Sequence, residues 1–290
     1  MTCPEVQKSH HVPGKVATRD SSTSRLVVIL RRGKPPAWTS GQVVNIIPET
    51  MPVYTFTGQH SFLDDGDGNW RIKFLSSGVL TWLSGKTKID IFLVGGGGST
   101  MHGGGGGGYT KTEKNVAITK GQRIEIQIGA GAGVYDAYNP SNPNGGASSF
   151  GDISVSGANG ANGGSGGGAY ANTGDNVGGT GGSDGANGGT AVSTTGTNNG
   201  GRGQGTTTRE FGEAGADLYS GGGGGMGNKD GAGGAGGQGS PVIATAGDPN
   251  PTNAGGPGKA GGGYGGGSGG GRIYSGTAAQ GIVIIRDART

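Results

Sequence analysis

Residues 88–108 read KIDIFLVGGGGSTMHGGGGGG, and this stretch decides the fold because an apolar strand leads directly into runs of glycine. The alternation in residues 88–94 puts Ile89, Ile91 and Leu93 on one face of a β-strand. The glycines that follow have no side chain to bury. The chain is therefore expected to combine an ordinary β core with a second region whose order depends on the backbone.

Similar strand patterns occur on both sides of this stretch. In residues 123–128 three isoleucines alternate with polar residues, which predicts a half-buried strand. Further strands are predicted at 53–57, 70–74, 79–83, 149–155 and 281–286. Residues 64–69 (DDGDGN) predict a tight turn, and Ser-Ser-Gly at 76–78 predicts a hairpin turn between strands 70–74 and 79–83. With no long helical period, we expect a mainly β fold, with a small antiparallel β-sandwich-like framework and little or no α-helix.

The composition separates this chain from most protein classes. Glycine accounts for 74 of 290 residues, against an average near 7%, while the formal net charge is only +3. Low charge together with low hydrophobicity favours glycine-based order over a charged, solvated coil. Cys3 is the single cysteine, so no disulfide within the chain is expected. The lysines and arginines are scattered, and the sequence predicts no nucleic-acid partner.

Membrane insertion and secretion are not predicted either. No apolar run approaches the roughly 20 residues of a membrane span. The N-terminal residues lack a charged-then-apolar signal pattern, so synthesis in a cytoplasm without a signal peptide is expected.

The domain organisation follows the composition. Residues 1–50 form an irregular basic segment, with possible short strands at 25–32 and 42–47. Residues 51–290 form a glycine-rich domain, with a β-framework at 51–156 and 281–286 and a polyglycine region at 157–280. The final strand, GIVIIR, is too apolar to follow a disordered tail. We expect it to return to the sheet, so that the glycine region is a long insertion with both ends fixed.

The glycine region has two opposed interpretations. Ordering glycine costs more backbone entropy than ordering any other residue, and only backbone hydrogen bonds and close packing can offset that cost. Side-by-side threefold polyglycine II helices provide both. A flexible linker is the alternative, but so long a structureless stretch within a domain is rare. We favour the polyglycine II helix bundle, built from runs such as 95–98, 103–108, 163–168, 221–225 and 261–271.

An ordered series of motifs covers residues 53–290: YTFTG, DDGDGNWRIKFLSSG, IDIFLVGGGG, GGGGGGYTKT, VAITKGQRIEIQIGAGAG, GGASSFGD and GTAAQGIVIIR. The series resembles the glycine-rich domain of phage and prophage tail proteins. More distantly, it is similar to tail-fibre tip adhesins, in which polyglycine helices present loops to a bacterial surface receptor. The resemblance implies a virion component that recognises a host cell, with a surface protein or glycan and other tail proteins as partners. A purely structural tail or cell-envelope protein without its own ligand is the alternative.

Catalytic, cofactor and metal sites are not predicted. The spacing of four residues is similar to that of a calcium loop: Asp64, Asp65, Asp67 and Asn69. Position 75 is Leu where that loop requires Glu, so a hairpin turn is the preferred interpretation. The histidines at 10, 11, 60 and 102 show no metal-ligand spacing and are expected at the surface. Phosphate-loop and nucleophile-elbow motifs lack their required context, and an enzyme is not expected.

The candidate binding residues are bulky side chains in glycine-rich surroundings. Tyrosine gives a large contact area at low entropic cost and is favoured in binding loops. The candidates are Tyr135, Tyr138, Tyr170, Phe211, Tyr219, Met226, Tyr264 and Tyr274, with Leu218 beside Tyr219. The same residues would also serve to cap the ends of the bundle or to seal it against the β-framework. The sequence leaves both roles open.

Overall fold

The computed structural model describes residues 51–136, 142–170, 177–182, 187–190, 209–225, 263–271 and 274–289. Within these ranges the chain is mainly β, with two antiparallel sheets of five strands each and a short 3-10 turn at Glu210–Gly212. This architecture confirms the expected mainly β, sandwich-like framework. None of the helical structure in these ranges is long and apolar enough to cross a membrane.

The strands follow the alternating apolar patterns of the sequence. In chain order they are β1 Val53–Phe56, β2 His60–Gly66, β3 Asn69–Phe74, β4 Gly78–Ser84, β5 Lys88–Val94, β6 Thr110–Ala117, β7 Arg123–Gln127, β8 Ser148–Phe150, β9 Ile153–Val155 and β10 Ile282–Asp287. The first sheet has the order β1-β4-β7-β8-β9, and the second has the order β2-β3-β10-β5-β6.

The main core lies between the two sheets. Trp70 of β3 and Trp82 of β4 face each other across it, with ring centroids 5.8 Å apart. Around them pack buried residues of both sheets: Ile72, Phe74, Leu80, Ile89, Ile91, Leu93, Ile124, Ile126, Phe150, Val283 and Ile285. The predicted inward faces of β5 and β7 are therefore confirmed.

Strand β10 is the central strand of the second sheet. Its residues pair antiparallel with β3 on one side and with β5 on the other. The predicted return of GIVIIR to the sheet is confirmed, and residues 156–281 form an insertion between β9 and β10. All six residues of β10 are buried because the outer face of the second sheet is also covered.

Two local predictions are wrong. Ser-Ser-Gly at 76–78 is not a hairpin turn, because β3 and β4 belong to different sheets and this link crosses the sandwich. Residues 149–155 form two short strands rather than one, since Gly151, at φ 56°, turns the chain between β8 and β9. The turn in residues 64–69 is confirmed, with Asp67 at φ 52° and Gly68 at φ 76°. The predicted strands at 25–32 and 42–47 lie outside the described residues.

Candidate functional site

A bundle of glycine-rich segments extends from one end of the sandwich. Its segments come from three connections: residues 95–109 between β5 and β6, and the described parts of residues 128–147 between β7 and β8 and of residues 156–281 between β9 and β10. The strand ends that feed it are adjacent, since Ile282 pairs with Val94 and the Ser148 hydroxyl donates to the Val94 carbonyl at 2.7 Å. The bundle is therefore a continuation of the framework.

The hydrogen bonds within the bundle repeat every three residues. Successive amides of residues 95–99 bond in order to the carbonyls of Tyr109, Gly146, Ala279, Gly106 and Pro143, at 2.8–2.9 Å. The first and fourth amides thus reach one neighbouring segment, 106–109, and the second and fifth reach another, 143–146. Amides along a β-strand alternate between two sides, whereas three neighbours in rotation are the pattern of a threefold helix. The predicted polyglycine II packing is confirmed for these segments.

The same period recurs in residues 104–109, at the centre of the bundle. Every third amide of this segment again returns to one neighbour: residues 104 and 107 to 165–168, 105 and 108 to 265–268, and 106 and 109 to 156–160. The segment also accepts bonds from Gly98 and Gly223. A polyglycine segment with so many hydrogen-bonded neighbours is held at every peptide.

Close approach explains why these positions are glycine. A Cβ atom at Gly105 would overlap the carbonyl oxygen of Gly98, and one at Gly223 would overlap that of Ser268. Gly133, near the outer end of its segment, has no atom within 4 Å of the place where its Cβ would stand. Glycine is thus a packing requirement inside the bundle and not at its edge.

Several loops meet at the end of the bundle far from the sandwich, which we call the tip. Gly271 donates to the Met101 carbonyl at 2.8 Å, and Ser275 donates to the Tyr135 carbonyl at 3.0 Å. The His102 ring stacks on Tyr170, with centroids 4.7 Å apart and an interplanar angle of 24°. These contacts bring the loops after residues 99, 133, 169 and 270 together.

Three of the sequence candidates lie at the tip. Tyr135 and Tyr170 are half-buried, and Tyr274 is 40% exposed. Val134, next to Tyr135 in the chain, is also exposed and adds apolar surface. The tip is thus a mixed aromatic and apolar surface carried on backbone-bonded glycine.

Three other candidates lie at the sandwich end of the bundle. Phe211 and Tyr219 are buried against the outer face of the second sheet, with ring centroids 6.0 and 5.2 Å from that of Phe92. Tyr264 is half-buried against the same cluster. These three residues seal the bundle against the β-framework, which is one of the two roles that the sequence left open. Leu218, next to Tyr219 in the chain, is half-buried. Tyr138 and Met226 lie outside the described residues.

A charged network that the sequence did not indicate surrounds Tyr219. Its hydroxyl donates to Glu210 at 2.7 Å, and Glu210 pairs with Arg71 of β3 at 2.7 Å. Burial beside this carboxylate raises the pKa of Tyr219, so the phenol stays protonated. No local pattern could reveal the pair, because Arg71 and Glu210 are 139 residues apart in sequence. The stacking of His102 likewise left no signal in the sequence.

The described chain begins and ends at the opposite end of the sandwich, which we call the base. Gly85 lies against Pro52, and the next residue, Lys86, pairs with Asp287 at 2.9 Å. The tip therefore lies beyond one end of the sandwich, and Pro52 and Asp287, near the two ends of the described chain, lie at the other.

The acidic turn of the β2–β3 hairpin lies at the base and is engaged by arginines. Asp65 pairs with Arg71 and Arg289. Burial alone would raise the pKa of Asp65, but the hydrogen bonds and charges of the two arginines outweigh it and lower the pKa. Across the described ranges, no three His, Cys, Asp or Glu residues are grouped so as to hold a metal ion.

A protein-family model matches most of the chain. The family model described as a glycine-rich domain matches residues 75–287, from the end of β3 to the end of β10. No curated protein is similar to the chain. The match therefore spans the bundle and most of the sandwich.

Proposed function

This chain belongs to the glycine-rich domain family, and on that premise we propose that it is a non-enzymatic phage tail protein whose tip binds a bacterial surface receptor. The receptor is a protein or a glycan, and other tail proteins hold the base. The single observation that carries the proposal is the separation of the two ends: the tip lies beyond one end of the sandwich, and the base, with Pro52 and Asp287, lies at the other.

The construction of the bundle supports a presenting role. Its segments 95–99 and 104–109 are bonded to their neighbours at every amide, so the loop between them has fixed ends. Rigid presentation lowers the entropy lost on binding, which favours affinity. A base held by other tail proteins would then direct the tip away from the particle.

The chemistry of the tip supports recognition rather than simple capping. Tyr135, Tyr170 and Tyr274 come from three separate loops, and Val134 exposes apolar surface next to Tyr135. Rigid aromatic side chains with a polar end are the residues most favoured in binding loops. A surface of this kind suits a protein or glycan ligand at the cell surface.

A cell-binding assay tests this proposal. Fluorescently labelled full-length chain is incubated with a panel of bacterial strains, alongside the variants Tyr274→Ser and Phe62→Ser. Phe62 is the matched control because it is 44% exposed on edge strand β2, far from the tip. We expect Tyr274→Ser to weaken adhesion about tenfold or more, as for a central contact residue, and Phe62→Ser to leave it unchanged.

Two outcomes would overturn the proposal. Either the wild-type chain adheres to no strain in the panel, or the tip and control variants adhere equally well while both remain folded by circular dichroism.

A structural tail or cell-envelope protein without its own ligand is the second candidate. The observation that favours it is that Phe211, Tyr219 and Tyr264 pack against the sheet, so bulky residues in this chain also serve packing. This candidate requires that Tyr135, Tyr170 and Tyr274 can all be replaced by Ser without any change in attachment or host range.

A further inference from the structure

Residues 209–219, which we call the strap, cover the outer face of the second sheet. The strap closes on itself, because the Glu210 amide donates to the Asp217 carbonyl at 2.8 Å and Arg209 forms a bridge with Leu218. Under it lies an apolar patch of β5 and β10: Phe92, Val94, Ile282 and Ile284. The strap is thus a small closed loop placed over a finished sheet.

Charged side chains hold the strap to the sheet. Glu210, which is 2% exposed, contacts Arg71 at 2.7 Å and Lys73 at 3.4 Å, both from β3. Glu213 pairs with Arg286 of β10 at 2.7 Å. At the rim, Lys73 lies 3.8 Å from Asp217. Ion pairs therefore join the strap to two neighbouring strands.

Arg286 is the centre of this attachment. Its guanidinium carbon lies 4.1 Å from the centre of the Phe211 ring, and its Nε bonds to the buried Asp90 at 3.1 Å. Asp90 belongs to β5, so a contact within the sheet holds the arginine independently of the strap. The strap therefore contacts a guanidinium group whose position the sheet sets.

Backbone strain marks the strap and the residue after it. Phe211 has φ 55° and Ser220 has φ 63°, a region that costs free energy for residues with a Cβ. The chain contains 74 glycines, the residue that adopts this conformation without cost, yet neither position is glycine. Strain of this kind persists only while surrounding contacts hold it in place.

The strap leads directly into a bundle segment. Residues 220–225 follow it, and Gly223 donates to Gly105 while accepting from Gly168, both at 2.8–2.9 Å. Two amides of a further segment, Gly267 and Gly270, donate to Gly221 and Gly224. The segment runs away from the sandwich, since Ser220 lies beside Gly108 and Gly225 beside Ala169. Whatever holds the strap therefore holds the start of a segment that ends near the tip.

We propose that the strap is an ion-paired latch that detaches from the sheet while the sandwich stays folded. Detachment loosens residues 220–225 and, through their hydrogen bonds, the neighbouring tip loops. Salt is the trigger, because Arg71, Lys73, Glu213 and Asp217 are partly open to solvent and screening weakens such pairs. The latch does not depend on the identity of any receptor.

Hydrogen exchange of the full chain, read by mass spectrometry at low salt and at about 1 M NaCl, tests the latch. We expect peptides that contain Gly168, Gly223, Gly267 and Gly270 to exchange severalfold faster at high salt. Peptides from β3 and β7 should exchange at the same rate in both conditions.

Substitution of the central carboxylate gives the second arm. In Glu210→Gln the side chain keeps its size but loses its charge, so the same bundle peptides should exchange roughly tenfold faster or more at low salt. Their rate should also respond less to added salt. Glu125→Gln is the matched control, because Glu125 is exposed on β7. If Glu210→Gln fails to fold, Glu213→Gln takes its place. Glu213 lies at the partly open rim, so this variant should give a smaller increase in exchange than the one expected for Glu210→Gln.

The proposal fails under either of two results. In the first, neither salt nor the glutamine variants change exchange in residues 220–225. In the second, exchange rises equally in the bundle, β3 and β7, which would make the strap an inseparable part of the core.

Discussion

Single glycines in this molecule have different roles, and the distance from the glycine to its nearest neighbouring atoms decides which role each one has. Gly105 lies where the Gly98 carbonyl leaves no room for a methyl group, whereas Gly133 lies in open space. Both are glycines in glycine-rich sequence, so composition could not separate them. The sequence also could not assign the aromatic residues, because nothing local distinguishes Tyr219, which is buried at the sandwich end of the bundle, from Tyr274, which is exposed at the tip.

The contrast between these two glycines gives a direct prediction. Gly105→Ala should lower the free energy of unfolding by about 2–3 kcal/mol, because the added methyl must push a bonded segment away. Gly133→Ala should leave it unchanged or raise it by up to about 1 kcal/mol, through loss of unfolded-state entropy. Chemical denaturation of the full chain measures both. Equal effects of the two substitutions would contradict the close packing described for the bundle.

Among the elements, β10 has the largest consequence for the fold. The pair β2–β3 and the pair β5–β6 belong to one sheet only because β10 lies between them. Because its sequence is apolar, both the strand and its return to the sheet could be predicted. The polar edge strands β2 and β6 escaped prediction because they lack apolar alternation, and the placing of β3 and β4 in separate sheets left no local signal.

A substitution in β10 should therefore cost more than one in an edge strand. Ile285→Ala should lower the free energy of unfolding by about 2–5 kcal/mol, because Ile285 is fully buried between the sheets. Ile153→Ala, in the edge strand β9 where the side chain is half-buried, should cost less than about 2 kcal/mol. Denaturation curves of the two variants, fitted with a common slope, provide the comparison. A larger loss in the β9 variant would show that β10 is not central to stability.

At the scale of the whole molecule, the two ends are chemically distinct. The base and the strap are rich in ion pairs, whereas the tip is aromatic and apolar. The sequence predicted a framework and a glycine bundle, and both are present. It did not predict the charged contacts between them, since these join residues far apart in the chain, such as Arg71 and Glu210.

These ion pairs predict how stability depends on pH. The hydrogen bond and charge of Arg286 lower the pKa of Glu213, and the pKa of Asp65 is lowered as well. A carboxyl whose pKa is lower in the folded state stabilises that state fully above its unfolded value, near 4, and loses this contribution as the pH falls through the folded value. Thermal melting between pH 7 and pH 3 should show a falling Tm below about pH 4.5.

The double variant Asp65→Asn with Glu213→Gln is the reference for this measurement. It should have a lower Tm than wild type at pH 7 and a shallower decline in acid. Identical slopes for the two proteins would mean that other groups control acid stability.

The three-residue hydrogen-bond period imposes a counting rule on insertions and deletions. With three residues per turn, adding one residue inside a bundle segment rotates every later amide by about 120°, toward the wrong neighbour. Adding three residues restores the direction of each amide, provided that the insertion does not displace a buried side chain such as Ser165 or Ser268. Gene variants that lengthen or shorten the segments between sandwich and tip should therefore be tolerated when they add or remove residues in multiples of three, that is, three codons at a time, while loops at the tip can change by any number of residues.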